Sequence, residues 1–180
     1  QIVAISCVLK TDDRLEVWTL GDEDTSEGGI LKHFFDGLDK YIPNLVSWNG
    51  SGFDLPVLNY RALANQISSE TYFETGENQS EFKWNNYMSR YHRRHLDLMD
   101  ILALYSGRNN ASLNEICKIY GFPGKLDMDG GRVWETFLNG DLVSIRNYCE
   151  TDVANTYLVY LRYLLSKNEL TATAYKNEID

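Results

Sequence analysis

The 180-residue chain is poor in the residues that punctuate or cross-link a fold: three cysteines, three prolines and three histidines. Cys7, Cys117 and Cys149 are odd in number, widely separated and in no paired spacing, so neither a disulfide framework nor a zinc knuckle follows. They read as reduced thiols of a cytoplasmic protein. No apolar run approaches the roughly 20 residues that cross a bilayer, and the first residues lack the basic flank and cleavage pattern of a signal peptide. Basic side chains are also scarce, 17 against 26 acidic for a net charge of -9. That balance excludes a protein that coats nucleic acid by bulk electrostatics. It does not exclude a nuclease, because metal-dependent phosphodiester chemistry uses clustered carboxylates to hold the cations that meet the phosphate.

What remains is 43% hydrophobic and 24% charged, with polar residues scattered rather than run together, which describes one globular domain over 1–180. The chain opens on Gln1 without Met and is already inside a β-branched run, Ile2 to Leu9, so residues are expected to be missing upstream. A second strand, Leu15 to Leu20, follows across Thr11-Asp12-Asp13-Arg14, giving an antiparallel hairpin. Ile30, Leu31, Phe34, Phe35, Leu38 and Tyr41 line one helix face, which Thr25 or Ser26 would cap.

Leu45–Asn49 reads as a short strand, followed by a glycine turn and a helix from about Leu55 to Ala64. The stretch from Gln66 to Arg94 has no clear period and the length of an active-site flap or substrate-binding insertion. His95–Leu98 is a strand end running into a helix through Tyr105, and Ser112-Leu113-Asn114-Glu115 is a capping box for a helix stopping at Gly121. A short helix over Gly131–Leu138 and a long one from Asp141 to about Lys167 complete an α/β layer pattern.

Two segments could carry chemistry. Asn49-Gly50-Ser51-Gly52-Phe53-Asp54 joins a strand to a helix, so its glycines permit a tight turn and Asp54 enjoys the favourable helix dipole. An N-cap role for Asp54 and a turn role for Asn49 explain these residues equally well. Tyr148-Cys149-Glu150-Thr151-Asp152 lies in the long helix, where a four-residue step puts the phenol and the carboxylate on one face. A phenol with an ordinary pKa near ~10 is a poor base but can orient a water. With 12 tyrosines in the chain the spacing alone arises by chance about once.

Taken together and in this order, the two segments resemble the DEDD superfamily of 3′–5′ exonucleases. The branch is the one with a tyrosine in its third motif, and within it the predicted exonucleases related to the proofreading domain of family-B DNA polymerases. Trp48–Leu58 is similar to that family's second motif and Asn147–Asp152 to its third. Tyr91–Asp100 and Gly121–Lys125 are similar as well, so the resemblance covers nearly the whole chain. It implies a ribonuclease H-like fold, a mixed sheet flanked by helices. It also implies 3′–5′ hydrolysis of single-stranded DNA or RNA to nucleoside monophosphates, with two Mg²⁺ or Mn²⁺ ions ~3.5–4 Å apart. Asp54 and Asp152 map onto metal ligands, Tyr148 onto the water-orienting tyrosine, and Asn49 and Phe53 fall in the motif that meets the strand end.

The family's first motif, Asp-x-Glu on a central strand, has no counterpart ahead of Gln1. The expectation is therefore a piece weak or inactive by itself, loosely packed or exchanging a strand with a second copy, from an active parent. A nuclease-fold module that binds nucleic acid or a protein partner without cutting is the alternative. Lys83, Trp84 and Arg90 to His95 gather basic and aromatic groups, with Arg93 and Arg94 as expected contacts to a single strand. A solvated loop anchored by its aromatics explains the same segment. Asp97 and Asp100 are candidates for carboxylates behind the metal ligands, and a helix N-cap accounts for Asp97 at least as well.

Overall fold

The computed structural model describes residues 1–125 and 130–179. Their order is β1 (Ser6–Lys10), β2 (Leu15–Thr19), α1 (Glu27–Tyr41), β3 (Leu45–Ser47), α2 (Asp54–Ala64), β4 (His95–Asp97), α3 (Leu98–Leu102), α4 (Leu113–Tyr120), α5 (Val133–Leu138), α6 (Leu142–Ser166) and α7 (Ala172–Ile179). The fold is mixed α/β with two small sheets, β1 with β2 and β3 with β4, and no strand among the described residues joins them. None of the described helices is long and apolar enough to cross a membrane.

In the first sheet the Thr11 amide donates to the Arg14 carbonyl at 2.9 Å, and the Leu20 amide to the Ile5 carbonyl at 2.8 Å. The Ser6 and Thr19 hydroxyls pair at 2.7 Å between them. One strand thus advances as the other retreats, which is the antiparallel hairpin the turn chemistry predicts. In the second sheet β3 and β4 run parallel, with Leu45 opposite His95, Val46 opposite Leu96 and Ser47 opposite Asp97.

The chain groups into two compact units. The first comprises Gln1–Ser6 and Thr19–Asn110. Its core is built where the apolar stripe of α1 (Leu31, Phe35, Leu38) meets Leu58 and Ala62 of α2. Ser26 caps α1, its side chain accepting from the Gly29 amide. Tyr72, Phe82 and Tyr87 complete this core, with Tyr72 edge-on to Phe35 at 5.1 Å and stacked on Tyr87 at 5.8 Å. The segment Gln66–Arg94 is therefore not a free-standing flap. Its polar residues hide three aromatics that lie 0–1% exposed, and Asp39 of α1 ties it down through Ser69, Glu70 and Thr71.

The second unit comprises Cys7–Trp18 and the chain from Ala111 onward. The helices α4, α5 and α7 pack against α6, with Cys117, Ile145, Val159, Leu161 and Tyr175 buried. Asp141 caps α6 by accepting from the Ser144 amide, and no glycine or proline interrupts its 25 residues. The predicted capping box is formed, Ser112 and Glu115 bonding each other's backbone amides, and Gly121 ends α4 in the left-handed region. In the same unit Glu178 of α7 takes the Lys10 ammonium at 2.7 Å and the Tyr157 hydroxyl at 2.9 Å.

Candidate active site

The parallel pairing of β3 and β4 sets the stage for the first group of residues. Immediately after β3 the chain must turn within Asn49–Phe53 to begin α2. Asn49 adopts φ +65°, and its carbonyl accepts from the amides of Gly52 and Phe53 at 3.1 and 3.0 Å. A side chain at Gly50 would collide with the Ser47 Cβ and hydroxyl, and one at Gly52 would displace the end of the Asn49 side chain, so the turn leaves little room at either position. Asn49 thus does act as a turn residue. Phe53, not Asp54, occupies the cap position of α2, and it makes no side-chain cap. Asp54 is the first helical residue and is exposed, as is Phe53 at 63%.

Beneath this turn lie His95 and Asp97, 3% and 4% exposed. The His95 Nε2 is 2.7 Å from the Ser47 hydroxyl, and burial pushes its imidazole down from the usual range, with Asp97 and Asp100 opposing. His92 is engaged elsewhere, its Nδ1 accepting from the Asn86 amide at 3.1 Å.

In the same unit, Arg93 is exposed, while the Arg94 guanidinium lies 4.2 Å from the Phe82 ring centre and donates through Nε to the Asn85 carbonyl at 3.0 Å. Both backbone amides donate to the Asn85 side chain. Around them Trp84 and Tyr91 stand 79% and 70% exposed, and Arg90 is bound to Asp100 at 2.8 Å.

The second group is carried by α6. Asp152 is half-buried, and burial raises its carboxyl above the usual carboxylate range. A hydrogen bond from Tyr148 and the charge of Lys125 oppose that shift without cancelling it. The helical step predicted to bring Tyr148 and Asp152 together does so. Gly130 comes close to the Tyr148 hydroxyl, where an added Cβ would stand 3.7 Å away.

The placement of Lys125 has a definite cause. Asn155, 3% exposed on α6, accepts from the Gly124 amide at 3.0 Å and donates to the Gly124 carbonyl at 2.9 Å. The Lys125 amide in turn donates to Asn114 of α4 at 3.0 Å. This clasp sets the Lys125 ammonium 6.0 Å from the centre of the Tyr148 ring. Sequence reasoning assigned no role to Lys125 or Asn155. The available signal was an asparagine in the interior of a long helix, three residues after Asp152, where a poor helix former needs a reason.

A carboxylate and a phenol one helical turn apart, Asp152 and Tyr148, are hard oxygen donors of the kind that suit Mg²⁺ or Mn²⁺. A carboxylate whose charge is disfavoured by burial is also one that a cation would relieve, so the Asp152 neighbourhood fits a metal ligand. Among the described residues no three histidine, cysteine or acidic side chains group as a metal cage.

The mixed α/β fold, with a parallel strand pair running into a glycine turn and an acidic helix start and a helix carrying Tyr and Asp one turn apart, is consistent with the ribonuclease H-like class of the PolB exonuclease domain. More particularly, the chain belongs to the family of predicted 3′–5′ exonucleases related to the exonuclease domain of PolB, whose model matches residues 1–180. Among curated proteins no sequence matches it.

Proposed function

We propose that this protein is a metal-dependent 3′–5′ exonuclease that hydrolyses single-stranded DNA or RNA from its 3′ end and releases nucleoside monophosphates. The observation that carries the reading is the half-buried Asp152 carboxylate, raised above its usual range by burial and hydrogen-bonded by Tyr148 with Lys125 nearby. Asp54 and Asp152 would hold Mg²⁺ or Mn²⁺, which when bound supplies an activated water and charge stabilisation at the departing 3′ oxygen. The Tyr148 hydroxyl orients the attacking water, and Lys125 offers a positive charge to the phosphate. Asn49 and the exposed Phe53 meet the terminal nucleotide, Phe53 by stacking on a base. Arg93 contacts the strand's backbone, and Arg94, held against Phe82, keeps that segment in shape.

The test is Mn²⁺-dependent release of label from 3′-labelled single-stranded DNA and RNA, alongside Asp54→Asn and Asp152→Asn. Loss of a residue behind a metal ligand costs about 10–100-fold, so loss of a ligand should lower the rate by more than about a hundredfold. Full activity in both variants would remove the assignment. Retention of the strand without release of label by the unaltered protein would favour a binding module.

A further inference from the structure

Asp97 does more than start a helix. As the residue before α3 it accepts from the amides of Met99 and Asp100 through Oδ1, at 3.1 and 3.4 Å, which is ordinary N-capping. The same buried carboxylate also accepts from the Asn49 amide at 2.9 Å through Oδ1 and from the Ser51 amide at 2.8 Å through Oδ2. Capping needs neither of the last two bonds. They arise because the parallel register sets Asp97 opposite Ser47, at the point where β3 gives way to the turn. Four backbone N–H groups from two segments thus meet one side chain that is 4% exposed.

From this geometry we infer that Asp97 is a positioning residue for the reaction: it fixes the Asn49–Phe53 turn and so sets where Asp54 begins α2. The inference rests on the reading of Asp54 as a metal ligand. Asp97 touches neither the metal nor the substrate, and it acts only through the backbone. The turn has little freedom to compensate. Asn49 is already in the left-handed region, and Gly50 and Gly52 are packed against Ser47 and the Asn49 side chain. Release of the Asn49 and Ser51 amides therefore shifts the start of α2 rather than being absorbed within the loop.

Two substitutions separate positioning from capping. In Asp97→Asn the side chain keeps its shape but loses one acceptor atom. In Asp97→Ser the hydroxyl can still cap α3 and is too short to bridge to the turn. Hydrogen exchange, Mn²⁺-dependent cleavage of 3′-labelled single-stranded DNA and the Mn²⁺ concentration for half-maximal rate are measured for both. A folded Asp97→Ser should show lost protection at the Asn49 and Ser51 amides, and kcat lowered by about 10–100-fold with KM changed by less than about twofold. Its half-maximal Mn²⁺ concentration should rise. Wild-type rate and Mn²⁺ response in Asp97→Ser would overturn the inference, and so would failure of both variants to fold, because the residue would then hold up the fold and not the turn. The site reading fails separately, and takes this inference with it, if the unaltered protein is inactive or Asp54→Asn is active.

Discussion

Asp152 carries opposing demands. Its environment on α6 disfavours the charged carboxylate, chiefly through burial, while the proposed reaction needs that charge. A carboxyl whose folded-state pKa is raised contributes stability that is full below its unfolded value and is lost as pH rises through the folded one. Where it is charged, Asp152 is thus a cost to the metal-free protein. Asp152→Asn should raise the melting temperature of the metal-free protein at pH 7, the direction set by the upward shift of the carboxyl. Mn²⁺ should raise the melting temperature of the unaltered protein more than that of the variant. Calorimetry with and without chelator checks both, and a destabilised Asp152→Asn would mean that the carboxylate is held for the fold. At the same scale Asp54 looks different: it is exposed at a helix start, where its charge is favoured by the dipole.

Elements in this chain are joined by side chains that serve two segments at once. Glu27, in the first turn of α1, accepts from the Ile2 amide at 2.6 Å and binds Arg61 of α2 through both carboxylate oxygens. The Arg61 hydrogen bonds pull its carboxyl down to about 2 from 4.5, with burial opposing. A depressed carboxyl contributes stability above its unfolded value, lost as pH falls through the folded one. The acid side of the stability profile should fall between about pH 4.5 and about 2, and Glu27→Gln should flatten it there. Urea unfolding followed across that range measures the effect, and an unchanged slope would contradict it. Asn155 does similar work in the second unit, where α6 holds Gly124 on both its amide and its carbonyl.

These double attachments mark where sequence reading stops. Periodicity, caps and turn chemistry made α1, α2, α4, α6 and the hairpin legible, because each is decided by residues within a few positions of one another. The 25-residue α6 and the capping box at Ser112 follow from local signals alone. Asp97 and Asn155 were legible as residue types but not in their full roles, since their partners lie 46–48 and 31 residues away. The aromatic core of Gln66–Arg94 escaped because Tyr72, Phe82 and Tyr87 follow no helical or strand period; they are placed by packing on α1. The last helix, α7, escaped because it is short, half polar and buries only Tyr175, starting from a Thr171 hydroxyl that accepts from the Ala174 amide.

For the molecule as a whole, family membership spans residues 1–180. Residues that act as one catalytic unit are grossly non-additive when removed, whereas independent residues multiply their losses. The most direct test of the account is therefore a double-mutant cycle on Mn²⁺-dependent release of nucleoside monophosphate, with Asp54→Asn, Asp152→Asn and the doubly substituted protein. The account predicts that each single change lowers the rate by more than about a hundredfold and that the double variant is no slower than the slower single one by more than about tenfold. Losses that multiply across the cycle, or a single variant at the unaltered rate, would contradict it.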